Sequence, residues 1–138
     1  MGATISLLLA NNKKVKGIIA DSAYQNAYEE VGYVVQRSFY MPKRLVMPMI
    51  NTYFKIITKT NLKKIDTLEV LKESKVPVFF IHGLDDQFVP VNNSLHNYDS
   101  YTGEKKILLV ENANHGMGYL VEPEKYIREL KKFISKIV

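Results

Sequence analysis

The fifteen residues from Val76 to Pro90 constrain this chain more than any other stretch. Val76-Pro77-Val78-Phe79-Phe80-Ile81 is a short β-branched and aromatic run, the pattern of a strand buried on both faces, and it passes directly into His82-Gly83-Leu84-Asp85-Asp86, a glycine turn carrying two carboxylates. A strand covered on both sides belongs to a parallel sheet, whose strands are joined by crossover connections. A second such strand, predicted over Lys106 to Glu111, leads into Asn112-Ala113-Asn114-His115-Gly116. Twenty-nine residues separate Asp86 from His115, room for one crossover helix and one strand. A carboxylate and an imidazole then emerge side by side at one edge of the sheet. That pairing is the second half of a Ser-His-Asp triad.

The remaining segments fit around these two strands. Ala3 to Ala10 reads as a short apolar helix ended by Asn11 and Asn12, and Val15 to Ala20 as a first strand whose C-terminal loop, Asp21-Ser22-Ala23-Tyr24, lies on the edge shared by Asp86 and His115. Residues from about 25 to 65 are too long for a plain crossover. They read as helices over Asn26 to Phe39 and about Met47 to Thr58, split by Pro42 and Pro48, with Met47, Ile50, Tyr53, Phe54 and Ile57 as an apolar stripe. Asp66-Thr67-Leu68-Glu69 has the form of a capping box opening a helix to about Lys75. A helix through Leu95 to about Tyr101 precedes the third strand, and the last helix starts at Pro123 and is expected to bury Tyr126, Ile127, Leu130, Phe133, Ile134 and Ile137. Strands alternating with helices predict an α/β fold with three parallel strands and flanking helices. The apolar edge of the first strand predicts association with a second copy or with a separate N-terminal half.

At His82-Gly83-Leu84-Asp85-Asp86-Gln87-Phe88-Val89-Pro90 the chain resembles the α/β-hydrolase superfamily, in particular its serine esterase, lipase and S33-peptidase-like members. Their His-Gly-x-x-Asp-x-x-Val-Pro segment follows the seventh strand, and its acid corresponds to Asp86; the base after the eighth strand corresponds to His115. Met1-Gly2-Ala3 resembles the tail of the G-x-S-x-G nucleophile elbow, so that Gly2 stands for the last glycine of the elbow and Met1 for the residue after the nucleophile, an oxyanion-hole position. On this alignment the serine precedes Met1. The resemblance implies a truncated α/β-hydrolase fold over residues 1–138, carrying family strands 6, 7 and 8, with a helical cap at about 25–65. Gly2 and Ala3 are then expected to let the first helix pack closely on the sheet. It further implies the C-terminal part of a serine hydrolase for carboxylic esters or amides, inactive alone. The alternative is a non-catalytic domain used for assembly or binding.

Composition narrows the remaining classes. Without cysteine there is no disulfide, thiolate metal site or cysteine nucleophile, and no cofactor or metal is implied. The net charge of +5 is concentrated between Glu30 and Asp66, which enclose seven basic residues and no acid. A solvated face accounts for these better than a phosphate track, and no recognition motif accompanies them, so no nucleic-acid partner is expected. No window approaches a membrane span and no signal peptide is visible; a cytoplasmic location is expected, with any targeting segment lying upstream. His82 is expected to serve packing or to support the site, His96 to lie on a helix surface, Asp85 to be structural, and Ser22 to lack the elbow a nucleophile needs.

Overall fold

The structure, a computed structural model, describes residues Met1–Val138, which form two compact units. The first comprises Met1–Gln25 with Thr67–Val138, the second Asn26–Asp66.

The first unit is built on three parallel strands, β1 (Ile18–Asp21), β2 (Val78–Gly83) and β3 (Lys105–Val110), in the order β1-β2-β3. Every residue of the central strand is buried, as its unbroken apolar run requires. Its side chains alternate between two cores. Val78 and Phe80 join Leu7, Ala10, Leu71 and Tyr101, beneath helices α1 (Gly2–Leu8), α4 (Thr67–Leu71) and α5 (Asn92–Ser100). Phe79 and Ile81 join Leu108, Val110, Ala113 and Phe133, beneath the C-terminal helix α7 (Pro123–Ile137); the single turn α6 (Gly118–Val121) precedes it.

Several element boundaries differ from those read off the sequence. β1 starts at Ile18, because Asn12 accepts the Lys14 and Val15 amides and holds that stretch in a turn; its first ladder bond runs from the Ile18 amide to the Pro77 carbonyl. α4 ends at Leu71, where Ser74 turns its hydroxyl to the Ala10 carbonyl; Glu69 pairs forward with Lys72 at 2.7 Å. On α7, Phe133 is buried and Tyr126, Leu130 and Ile137 pack on the core, but Ile127 and Ile134 are exposed. Each stands one residue, about 100°, beyond the buried stripe. Gly2, expected to allow close packing of α1, has nothing within 4 Å of where a Cβ would stand; Ala3 makes the contact with the core.

α7 is also fastened to β3 by charge. Lys106 donates to the Glu129 carbonyl at 3.1 Å and pairs with its carboxylate at 2.6 Å, while its ammonium lies 4.7 Å from the centroid of the Phe79 ring. The Lys106 ammonium, then Lys132 and more weakly Arg128, hold the Glu129 carboxyl at about 2, well below the usual carboxylate range. A depressed folded-state value stabilises the fold above the ordinary carboxyl range, and that stabilisation is lost as pH falls toward 2. Lys106→Met is expected to move the Glu129 titration upward and to shrink the acid-side loss of stability; carboxyl-detected NMR titration with unfolding at several pH values measures both.

In the second unit, α2 (Ala27–Phe39) is capped by the Asn26 side chain, which accepts the Tyr28 and Glu29 amides at 2.9 and 3.2 Å. α3 (Lys43–Thr58) follows, then a 3₁₀ turn, Leu62–Lys64. Asn26 bonds to Asp66 at 2.9 Å, closing the segment on itself. α3 begins four residues before the expected start and runs through Pro48. The proline removes one helical bond, to the carbonyl of exposed Arg44 in the first turn, where the loss costs least. Of the expected stripe, Met47 is buried and Ile50 and Phe54 are half-buried, whereas Tyr53 and Ile57 are exposed. No helix of the chain is long and apolar enough to cross a membrane.

Candidate active site

Three loops leave the C-terminal ends of the parallel strands: Ser22–Tyr24 after β1, Leu84–Pro90 after β2 and Glu111–Met117 after β3. In a parallel sheet this edge collects functional groups, because every strand points the same way and every crossover returns behind it.

Asp86 and His115 meet there. The His115 Nδ1 lies 2.8 Å from Asp86 Oδ2. Asp86 is 7 % exposed, and its carboxylate is held from several sides. Its Oδ1 accepts the Phe88 amide at 2.9 Å and the Val89 amide at 2.8 Å, so the turn that the sequence places after the strand is closed by the acid itself. Its Oδ2 also lies 3.2 Å from Nε2 of His82. A buried carboxylate with this many donors is held in one orientation.

His82 is fully buried. Its Nε2 faces only acceptors, the Val89 carbonyl at 2.9 Å and Asp86, and therefore carries the proton. In the neutral ring, Nδ1 then accepts the Ser94 hydroxyl at 2.6 Å. The same logic applied to His115 places a proton on Nδ1, toward Asp86, and leaves Nε2 with a lone pair to accept one. Phe88 flanks that ring, with centroids 5.2 Å apart.

The two loops are tied together by their backbones. Gly83 approaches the Ala113 carbonyl so closely that a Cβ would stand 2.2 Å from its oxygen, and Asp85 donates its amide to the same oxygen at 3.1 Å. Asn114 Oδ1 accepts the Gln87 amide at 3.1 Å and the His115 amide at 2.8 Å, one side chain fixing both the acid loop and the base loop. Sequence reasoning passed over Asn114; its signal was an amide side chain directly before the histidine.

The β1 loop braces the base from the other side. Ser22 is buried in a left-handed conformation (φ 55°), accepts the Gly116 amide at 3.3 Å and donates to Asp21 at 3.2 Å. Its hydroxyl is thus engaged as a brace. Tyr126 donates to the other oxygen of Asp21 at 2.8 Å, and burial first, then Asp21, pushes its phenol well above the ordinary tyrosine range. Thr4 exchanges hydrogen bonds with the Tyr24 carbonyl and amide, both at 3.1 Å, pinning the first turn of α1 to the β1 loop. Met1 is the exposed N-cap of α1 and Gly2 its first residue. Asp86 and His115 therefore touch, while Met1 and Gly2 connect to them through two braced loops. Asp85 and His96 are exposed.

A family model described as PhoPQ-activated pathogenicity-related protein matches residues 25–138. The uncharacterized protein YqkD of Bacillus subtilis (strain 168) is 26% identical over 140 residues, covering 99% of this chain and 46% of the relative. Among solved structures, the Pyrococcus furiosus esterase Pf2001 superposes with a TM-score of 0.71 at 18% identity, covering 98% of this chain and 50% of that one. The Pyrococcus horikoshii acylaminoacyl peptidase superposes with a TM-score of 0.68 at 18% identity, covering 97% of this chain and 22% of that one. These likenesses are of fold, that of the α/β-hydrolases, and the chain spans half or less of the length of each protein.

Proposed function

The chain belongs to the PhoPQ-activated pathogenicity-related protein family, and from that premise we propose that Asp86 and His115 are the acid and base of a Ser-His-Asp triad hydrolysing carboxylic esters or amides. The observation that carries this is the 2.8 Å contact from His115 Nδ1 to an Asp86 carboxylate otherwise saturated by buried donors. Asp86 fixes the tautomer; His115 Nε2 takes the proton of a serine hydroxyl as its oxygen attacks the substrate carbonyl. The imidazolium formed is stabilised by Asp86 and returns that proton to the leaving alkoxide or amine. A water, deprotonated by the same nitrogen, then attacks the carbonyl of the acyl-serine; the bond to the serine oxygen breaks, the imidazolium returns its proton to that oxygen, and the acid leaves.

The nucleophile in this reading is a serine directly preceding Met1, where the resemblance to the elbow places it, and the amide of Met1 donates to the oxyanion. The coverage of the relatives supports it: the chain aligns along nearly its whole length with 46% of one and 50% of another. The free side of β1, which hydrogen-bonds only to β2, supports pairing with a further strand. Residues 1–138 alone are then inactive.

A fluorophosphonate probe tests this directly. A polypeptide extended upstream of Met1 is expected to label covalently, and residues 1–138 alone to remain unlabelled. Labelling of the short chain would contradict the assignment of the nucleophile; failure of the extended chain to label would favour a non-catalytic role in assembly.

A further inference from the structure

We propose that the exposed face of α3 docks on the surface of an anionic lipid bilayer. The helix splits its circumference three ways. Met47, Ile50 and Phe54 occupy a narrow inward arc and face the interior of their unit. Leu45, Met49, Tyr53, Ile56 and Ile57 fall within an outward arc of about 120° at 100° per residue. All five are between 60% and 73% exposed, an aliphatic face in water along roughly 18 Å of helix at 1.5 Å per residue. Arg44 and Lys55 line one flank of that arc, and exposed Lys59 caps the C-terminal end of the helix. The end of α2 and the turn before α3 add Phe39, Tyr40 and Met41, all exposed.

Charge decides the occupant. Residues 26–66 carry seven cations and three acids, and Lys43 pairs with Glu29 on α2, away from the stripe. A second copy laid against this face would bring two cationic flanks together, a repulsion with no acid in the stripe to relieve it. A nucleic acid would satisfy the cations and leave the aliphatic arc in water. A bilayer rich in anionic headgroups takes both: aliphatic side chains enter the acyl boundary while the cations remain among the phosphates, the arrangement of an interfacial amphipathic helix. Tyr53, with an apolar ring and a polar tip, suits that boundary. The inference concerns the second unit alone and does not depend on the proposed chemistry at Asp86 and His115.

Cosedimentation of residues 1–138 with lipid vesicles tests it. Binding is expected to vesicles of phosphatidylcholine containing about 30 % phosphatidylglycerol, to weaken as salt rises, and to be far weaker to pure phosphatidylcholine. Met49→Asn with Ile56→Asn should lower the partition at least tenfold, and each of Arg44→Gln, Lys55→Gln and Lys59→Gln about fivefold. These side chains project into solvent, so an unchanged circular dichroism spectrum accompanies the loss. No binding to the anionic vesicles overturns the proposal, as does equal binding by the double asparagine variant. A concentration-dependent oligomer of the free protein that the double variant abolishes would assign the face to a second copy instead.

Discussion

In a polypeptide carrying the complete site, His115→Ala is expected to lower kcat for a p-nitrophenyl ester by about 10⁶ and Asp86→Asn by about 10⁴, the scale on which triad members fail. The two differ for a structural reason. Removing His115 removes the proton acceptor outright. In Asp86→Asn the amide oxygen can keep the Phe88 and Val89 amides, which bind Oδ1 now. The NH₂ then replaces Oδ2, and it faces His115 Nδ1 and His82 Nε2, both donors in the native arrangement. His115 can satisfy that NH₂ only by moving its proton to Nε2, where it can no longer act as a base. His82 has no such option, since its Nε2 proton is directed at the Val89 carbonyl. Some loss of stability, about 1–3 kcal/mol, should therefore accompany Asp86→Asn and be absent from His115→Ala, whose ring is partly exposed. Steady-state kinetics with denaturant unfolding of both variants separates the effects. Turnover within tenfold of the parent for either variant would remove that residue from the chemistry.

Much of this arrangement was legible because it rests on short-range signals. The apolar run before His82 is too short for a buried helix, is β-branched and aromatic, and is bounded by Pro77 and Gly83, which makes it a strand covered on both faces; the distance from Asp86 to His115 then leaves few ways to connect two such strands. What the sequence concealed depends on longer-range choices. Ile127 and Ile134 recur at helical spacing as regularly as Leu130 and Phe133, and the angle at which α7 meets the sheet decides which pair is buried. Tyr53 and Ile57 looked like core for the same reason and lie in solvent. The supporting contacts at the site were hidden differently. Asn114, Ser22 and His82 act through a few hydrogen bonds to backbone or to neighbouring side chains, and no periodicity marks a residue whose importance lies in where an oxygen or nitrogen points. Gly83 was visible as a turn former, yet its role is spatial.

That role makes Gly83→Ala the most damaging small substitution expected outside the acid and base themselves. A methyl at this position would stand 2.2 Å from the Ala113 oxygen, 2.7 Å from its carbon and 2.9 Å from the Asn114 oxygen, all backbone atoms that cannot rotate aside. Relief requires the whole segment before His115 to move off the sheet. That segment's Ala113 carbonyl accepts the Asp85 amide, and its Asn114 side chain holds the Gln87 amide, so displacement breaks the bonds that align the base loop with the acid loop. Overpacking and the lost hydrogen bonds together predict about 2–4 kcal/mol of destabilisation. Nitrogen-detected NMR of the imidazoles should show the His115 Nδ1 proton exchanging with water once its bond to Asp86 is lost, while the His82 tautomer, fixed by Val89 and Ser94 within its own turn and α5, is retained. Gly2→Ala supplies the contrast: the same added methyl meets nothing within 4 Å and falls in the first turn of a helix, where alanine is the better helix former. It should leave stability equal or slightly raised. If Gly83→Ala unfolds within about 0.5 kcal/mol of the parent with the His115 proton still protected, the two loops are not held in register by backbone contact, and the alignment of base with acid must come from their side chains alone.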